Sequence, residues 1–373
     1  MQVAHFTFDV DNRSNSGTAR VAREVILSLA RIPQLRQSLV HFQICDDAIY
    51  SLEGVRELRF KKFRLPIASG FCSFMALALM LRIRRSSFDI AHWHSSRVYP
   101  FFFLFPARRH VVTLHDINQK LIPGADTLAS RVFRINLWIS RRKVDLIIGV
   151  SNHASRNIVL IGGFPEKKVK TLYWGSRFEL LTPKRPQAMD IDSGFLLVVS
   201  RWQPYKNVHS VVRAYLELLQ QGHALPRLVL VGKPVGSFTK PYELANASKV
   251  FSHKVLFLQD LTDEELAYMY DHCLVNIAPS LYEGFGLSVL EAMKRKKFSL
   301  CHSGTATSEI VGESGIAIDM HDISSIKRAI LKIVDSPSLV QELNAASWGR
   351  GLSFNWNQSS SQLFEMYLNL QHA

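Results

Sequence analysis

The stretch "APSLYEGFGLSVLEAM", residues 278 to 293, joins a short β-rich run, "LVNIAPS" (274–280), to a helix-like segment, with Gly284 and Gly286 at the junction. Glycines at a strand-to-helix turn let backbone come close to a ligand. The free N–H groups of the following helix start form an anion site. Two carboxylates, Glu283 and Glu291, flank this junction with seven residues between them. They would repel an anion unless cations compensate and unless they face something else. Carboxylates accept hydrogen bonds in pairs, so vicinal hydroxyls are natural partners.

The residues upstream supply the cations. "FLLVVSRW" (195–202) reads as a strand, and the loop "SRWQPYKN" (200–207) puts Arg201 and Lys206 at its carboxyl end. A forked guanidinium and a point-charge ammonium at that spacing suit a diphosphate; a solvated surface loop would carry the same residues. "NVHSVVRAYLELLQQG" (207–222) has helical spacing and closes at Gly222. "RLVLVG" (227–232) and "KVLFLQD" (254–260) are strands. "TDEELAYMYDHC" (262–273) is a helix with Thr262 as N-cap and Glu265 completing a capping box. Two phosphates, a ribose and a sugar would satisfy these groups together, and a nucleoside diphosphate sugar has all four parts.

The first half repeats the plan. "QVAHFTF" (2–8), "FDIAHWH" (88–94), "HVVTLHD" (110–116) and "VDLIIGVS" (144–151) are strand-like and finish in polar residues, while "GTARVAREVILSLARI" (17–32) has helical spacing. In open α/β sheets ligands bind beyond the carboxyl ends of the strands. The stretch "RFELLTPKRPQAMDIDSG" (177–194), with Pro183 and Pro186, reads as a linker. The expected organisation is α/β, with two Rossmann-like domains, 1–185 and 186–350, facing across a cleft, and a final helix in 351–373.

Composition narrows the class. The 373 residues, 47% hydrophobic and 20% charged, suit a soluble α/β protein. No uncharged apolar run is long enough to span a bilayer, the longest being Phe71 to Leu81, and the start has no secretory pattern. Cys45, Cys72, Cys273 and Cys301 lack metal-ligand spacing and fit a reducing cytosol. The net charge of +14 lies wholly in residues 1–175, which hold 26 Lys and Arg against 12 Asp and Glu. It clusters in "FKKFR" (60–64), "RIRR" (82–85), "ARRH" (107–110) and "SRRKV" (140–144), beside the apolar stretches "GFCSFMALALM" and "YPFFFLFP". A solvated basic face, an anionic membrane surface and nucleic acid all fit such runs. The membrane is preferred to nucleic acid, because no nucleic-acid module is visible and bulky apolar side chains accompany the bases. Those apolar stretches equally fit buried core.

The motifs from "LLVVSRWQPYKN" through "LVLVG", "LFLQDLTDEELAYMY", "IAPSLYEGFGLSVLEAM" and "SEIVGESGIAID" resemble the family 4 retaining glycosyltransferases of the GT-B fold, with Glu283 and Glu291 as their E-x7-E pair. "SGTARVAREV", "FDIAHWHSS", "VVTLHD" and "LIIGVSNHA" resemble the family's acceptor domain, and the "FNWNQSS" tail its closing helix, which in this fold crosses back to pack on the N-terminal domain. The resemblance implies that Arg201 and Lys206 bind the diphosphate and that Glu283 holds hydroxyls of the donor sugar. It puts the N–H groups of Phe285, Gly286 and Leu287 at sugar and phosphate. Glu291 would accept from the ribose, and the loop at Leu258 and Gln259 would border the base. His115 would approach the donor sugar from the opposing domain, and Gly17 would let the first loop reach the diphosphate or acceptor. The chain departs from the pattern beside Gly17, where many relatives have a second glycine. "DVD" (9–11) ends the first strand and is not read as a metal motif.

The implied reaction is retaining transfer from a nucleotide sugar, GDP-mannose being favoured, with no metal or other cofactor. The acceptor would be a lipid-linked glycan of bacterial surface polysaccharide (O-antigen or lipopolysaccharide), at the cytoplasmic face of the inner membrane. The anionic membrane is a partner and nucleic acid is not. The rivals are a nucleotide-sugar epimerase, a phosphorylase and a non-catalytic GT-B scaffold. A nicotinamide dehydrogenase is disfavoured because no G-x-G-x-x-G follows either first strand.

Overall fold

A computed structural model of the chain describes residues 1–7, 17–43, 54–61, 69–83, 87–94, 101–117, 138–139, 141–187, 194–248, 250 and 252–372. The chain divides into two units, Met1–Trp174 with Trp356–Ala373, and Gly175–Asn355.

In the first unit the described elements are β1 (Gln2–Phe6), α1 (Gly17–Leu29), β2 (Arg36–Gln43), β3 (Val55–Lys61), α2 (Ser69–Ile83), β4 (Phe88–Trp93), β5 (Ala107–Leu114), β6 (Leu146–Gly149), α3 (Asn152–Leu160) and β7 (Val169–Thr171). The strands pair in parallel in the order β3-β2-β1-β4-β5-β6-β7. Strand order therefore reverses between β1 and β4, the usual ligand position in such sheets.

In the second unit come β8 (Phe195–Val199), α4 (Val208–Gln220), β9 (Leu228–Val231), α5 (Lys240–Ala247), β10 (Val255–Leu258), α6 (Asp263–His272), β11 (Cys273–Ala278), α7 (Leu287–Lys294), β12 (Ser299–His302), α8 (Ala306–Val311), β13 (Ile316–Ile318), α9 (Ile323–Val334) and α10 (Pro337–Gly351). The parallel order β10-β9-β8-β11-β12-β13 repeats the reversal, here between β8 and β11. Local chemistry explains the elements. α4 buries Val208, Val211, Val212, Tyr215 and Leu219 on one stripe, and Gly222 follows its end at φ 89°, where glycine is least strained. Thr262 and Glu265 make the expected capping box on α6, at 3.2 and 2.9 Å.

The last helix, α11 (Trp356–His372), belongs to the first unit, as expected of a tail that crosses back to it, although the crossing falls after residue 355 and not at 351. Trp356 stacks on Trp174 with ring centroids 5.9 Å apart, and Ser359 Oγ donates to the Tyr173 carbonyl at 2.7 Å. Residues 351 to 355 stay with the second unit, where Phe354 meets Phe285 edge-on.

The boundary also differs from that expected after residue 185. Residues 177 to 184, read in sequence as a linker, are anchored to the second unit. Arg295 donates to the carbonyls of Phe178 and Leu181, both at 3.1 Å. Lys294, with only 2% of its side chain exposed, pairs with Glu179 at 3.0 Å, and the Lys184 N–H meets the Glu264 carbonyl at 3.0 Å.

The apolar stretches beside the bases are largely core. Phe74, Leu77, Phe102 and Phe105 are buried, and Phe6 and Trp93 stack at 3.8 Å among them. "ARRH" opens β5, where Arg109 pairs with Asp145 at 3.2 Å. No helix among the described residues is long and apolar enough to cross a membrane.

Candidate active site

In the second unit the strand reversal brings the expected groups together. Lys206 lies in the loop after β8 and Glu283 in the loop after β11; their side chains pair at 2.5 Å, both mostly shielded from solvent. The two loops are tied by backbone as well, the Leu281 N–H donating to the Tyr205 carbonyl at 2.9 Å. Lys206 also sits over the Tyr205 ring, at 5.3 Å from its centroid. Asn207 follows at φ 54°, its amide bonded to the Met320 carbonyl at 2.8 Å. This left-handed residue turns the chain from the loop into α4. Arg201 is exposed at the mouth of the same loop.

Gly286 caps α7 at φ 100°. A Cβ there would lie 2.7 Å from Thr307 Cγ2 and 3.5 Å from Thr307 Cα, so α8 packs against the turn and a side chain is excluded. Phe285 is buried, anchoring the turn, and Leu287 begins the helix. Glu291, one turn further on, is only 5% exposed and accepts from the Tyr270 hydroxyl of α6 at 3.1 Å. The two glutamates are therefore unlike: Glu283 meets a cation at the loop, and Glu291 is held inside by a phenol.

The side chain of Leu258 lies in the core with Phe178, Val231 and Tyr270, which leaves its backbone at the strand end. Gln259 is exposed, its amide donating to Tyr242 Oη at 2.6 Å.

In the first unit, His115 follows β5. Its Nε2 is buried with no hydrogen-bond partner. Desolvation lowers its pKa to about 4 against an opposing hydrogen bond to the His94 backbone, so the ring is neutral near pH 7. Gly17 opens α1; the loop before it, including residues 9–11, lies outside the described residues.

The sequence reading missed the other histidines here. His5 Nδ1 and His94 Nε2 are 2.9 Å apart, and the rings of His92 and His94 lie 4.0 Å apart. His92 reaches Thr113 Oγ1 at 2.8 Å and the Tyr367 hydroxyl of α11 at 2.5 Å. Burial lowers the pKa of His5 to about 3 and those of His92 and His94 well below the ordinary value. The alternation of His92 and His94 along β4 was the available signal, since residues two apart on a strand share a face. Their ring nitrogens and those of His5 lie close enough to hold a metal ion, but both nitrogens of His92 are already taken by hydroxyl partners.

Comparison with known proteins bears on family and fold. Residues 184–347 match the family model described as glycosyl transferases group 1, and residues 16–176 that of Glycosyltransferase Family 4. The O-antigen chain mannosyltransferase B of Escherichia coli is 24% identical over 275 residues, 71% of this chain and 72% of that protein. A D-inositol 3-phosphate glycosyltransferase of Acidothermus cellulolyticus is 29% identical over 57% of this chain and 50% of its own. The matched regions span from 30% to 72% of such curated relatives. Among solved structures, sucrose-phosphate synthase from Thermosynechococcus elongatus superposes with a TM-score of 0.76 at 17% identity, covering 99% of this chain and 98% of that one. The chain belongs to the family 4 glycosyltransferases and has the GT-B fold of two Rossmann-like domains.

Proposed function

We propose that the protein transfers a hexose, with mannose from GDP-mannose the favoured donor, to a hydroxyl of a lipid-linked glycan in bacterial surface polysaccharide assembly, retaining the anomeric configuration. The observation that carries this reading is the Lys206–Glu283 pair beside the start of α7. A departing nucleoside diphosphate gains negative charge as the bond to the sugar carbon breaks. Lys206, Arg201 and the helix dipole are positioned to stabilise that charge, while Glu283 accepts from sugar hydroxyls. Donor binding would pull Lys206 toward phosphate and leave Glu283 for the sugar, with Glu291 serving the ribose side. His115, neutral and with a free lone pair, is suited to hydrogen-bond a hydroxyl and not to neutralise phosphate. The scheme uses no divalent metal.

The mannose preference rests on the mannosyltransferase relative, and the inositol-phosphate relative marks the alternative range of donors and acceptors. Placement at the cytoplasmic face of the inner membrane is supported by the basic first half and by one surface patch. There Trp138 and Phe101 are 52% and 46% exposed, Arg142 lies 4.7 Å from the Trp138 ring centroid and Lys143 5.2 Å from that of Phe103. Aromatic rings with neighbouring bases suit an anionic lipid interface.

A thermal-shift screen against GDP-, UDP-, dTDP- and ADP-sugars tests the donor. A ligand at 100 times its dissociation constant stabilises by about 2.7 kcal/mol. A response to none of them, with the protein folded, would overturn the assignment.

A further inference from the structure

Beyond the residues assigned to the donor, the second unit gathers three metal-ligating side chains at the carboxyl ends of β12 and β13. His302 ends β12, and Asp319 and His321 stand just after β13, in the turn that leads to α9. Each offers one ligand atom, and the three atoms lie within 4.8 Å of one another. The rings of His302 and His321 stand nearly perpendicular, at 83°, with centroids 5.3 Å apart. His302 Nδ1 is 3.9 Å from Asp319 Oδ1.

Backbone holds this cluster together. The Ser303 N–H donates to the Ile318 carbonyl at 2.8 Å, fastening the end of β12 to that of β13. The His321 N–H donates to Asp319 Oδ1 at 2.9 Å, which fixes the carboxylate across its own turn. His302 is the inner member, its side chain only 14% exposed. Its Nδ1 has a backbone group for either tautomer: the Met320 N–H at 3.1 Å donates to a bare nitrogen, and the Ile318 carbonyl at 3.3 Å accepts from a protonated one. In the second tautomer Nε2 carries the lone pair. That is the usual state of a metal-bound imidazole, whose other nitrogen donates to a carbonyl. Among the described residues, no hydrogen bond engages His302 Nε2 or either ring nitrogen of His321. Here the cluster differs from the histidines of the first unit, where hydroxyls occupy both nitrogens of His92.

We propose that His302, Asp319 and His321 bind a divalent cation of the borderline class, Zn2+, Co2+ or Ni2+, at a site that takes no part in the transfer step. Two imidazoles and one carboxylate select that class over Mg2+ and Ca2+, which take oxygen ligands. Ligand atoms about 2.0 to 2.1 Å from a tetrahedral ion lie about 3.3 Å from one another, so the cluster closes by about 1.5 Å around the ion. Asp319 is 58% exposed and His321 is also exposed, so rotation of these two side chains toward the shielded His302 supplies the closure. Water completes the fourth position. The site reaches the donor loop through one residue. Met320, between two of the ligands, accepts at its carbonyl from the Asn207 amide at 2.8 Å, and Asn207 is the left-handed residue that follows Lys206. A metal that clamps residues 319 to 321 therefore steadies the end of the Lys206 loop without touching Lys206.

The test uses the full chain, His321→Ala and Asp319→Asn, two changes at exposed positions. Zn2+ and Mg2+ are titrated against all three by calorimetry, and Co2+ by its visible absorption. The wild type should bind Zn2+ tightly and Mg2+ not at all, and its Co2+ form should show the intense bands of a four-coordinate ion. Each variant should weaken Zn2+ binding by at least the roughly tenfold that loss of an outer-shell partner costs, with melting in EDTA unchanged. Zn2+ affinity unaltered in both variants, or Mg2+ bound as tightly as Zn2+, overturns the site. Hydrogen exchange reads the link to the donor loop: Zn2+ should raise protection of the Asn207 and Ser210 amides in the wild type and in neither variant. A rise of equal size in the variants overturns that link.

Discussion

The two sheets run their first six strands in the same order, yet their carboxyl edges differ in charge. The first carries His5, His92, His94 and His115, enclosed and uncharged, with Tyr367 and Thr113 as hydroxyl partners. The second carries ion pairs, Lys206 with Glu283 and Lys233 with Asp260. A neutral edge suits hydroxyl-bearing groups and a charged, partly solvated edge suits phosphates. One topology thus provides two solvents, and the identity of the strand-end residues decides which.

Acid should separate the two edges most widely. A buried histidine with a lowered pKa favours the neutral form, so its stabilisation is complete above the unfolded value of 6.5. It is lost as pH falls from 6.5 toward the folded value, about 3 for His5 and about 4 for His110 and His115. Each such group contributes up to about 1.4 kcal/mol per pH unit within that window. Hydrogen exchange at pH 7.5 and 5.5 should show β1, β4 and β5 opening while β8, β9 and β11 stay protected. In the second unit, the carboxylates with lowered values, Glu217, Glu264 and Asp322, begin to lose stabilisation only below about pH 4.5 or 3.8, and one half-buried histidine, His209 of α4, is lowered by desolvation and the Lys240 charge, against four buried ones at the first edge. Equal sensitivity of both sheets would break the comparison.

The charged edge is tested by Lys206→Ala. If the ammonium stabilises the leaving diphosphate, turnover falls by about a hundredfold to a thousandfold while acceptor KM changes little. Near-normal turnover would remove the charge argument. A structural contrast within the same unit comes from Glu179→Ala, which leaves the buried Lys294 ammonium without this partner. Stranding a buried charge costs about 3 kcal/mol, which urea unfolding would measure. Turnover should hold at temperatures where the variant is folded.

Sequence made the second edge more legible than the first. Charged groups at strand ends announce themselves by type and spacing: Arg201, Lys206, Glu283 and Glu291 all stand out in "SRWQPYKN" and "EGFGLSVLE". The repeated alternation of strand and helix likewise gave the α/β plan, because parallel strands are continuous apolar runs. The docking of 177–184 was illegible, since it depends on Arg295 and Lys294 more than a hundred residues away. The core-facing side chain of Leu258 was illegible for a related reason: a strand's last residue faces ligand or core according to register, which the run "LFLQD" does not reveal. His5 and Tyr367 meet the HxH of β4 only after the sheet is assembled and the last helix returns to it.

That return supplies the smallest of the expected effects. Tyr367 is fully buried on α11 and its hydroxyl bonds His92 Nδ1, 275 residues earlier in the chain. Tyr367→Phe keeps the ring and its edge-on contact with His92 but leaves one buried nitrogen unpartnered. The cost should be about 1 to 3 kcal/mol, bounded because the Trp174–Trp356 stack and the Ser359 bond still hold the helix. The loss should appear in the exchange protection of β4 and α11 and leave α4 and α7 unchanged. Unchanged protection in β4 would mean that packing alone keeps α11 on the first sheet, and that its neutral edge is maintained by burial without the hydroxyl.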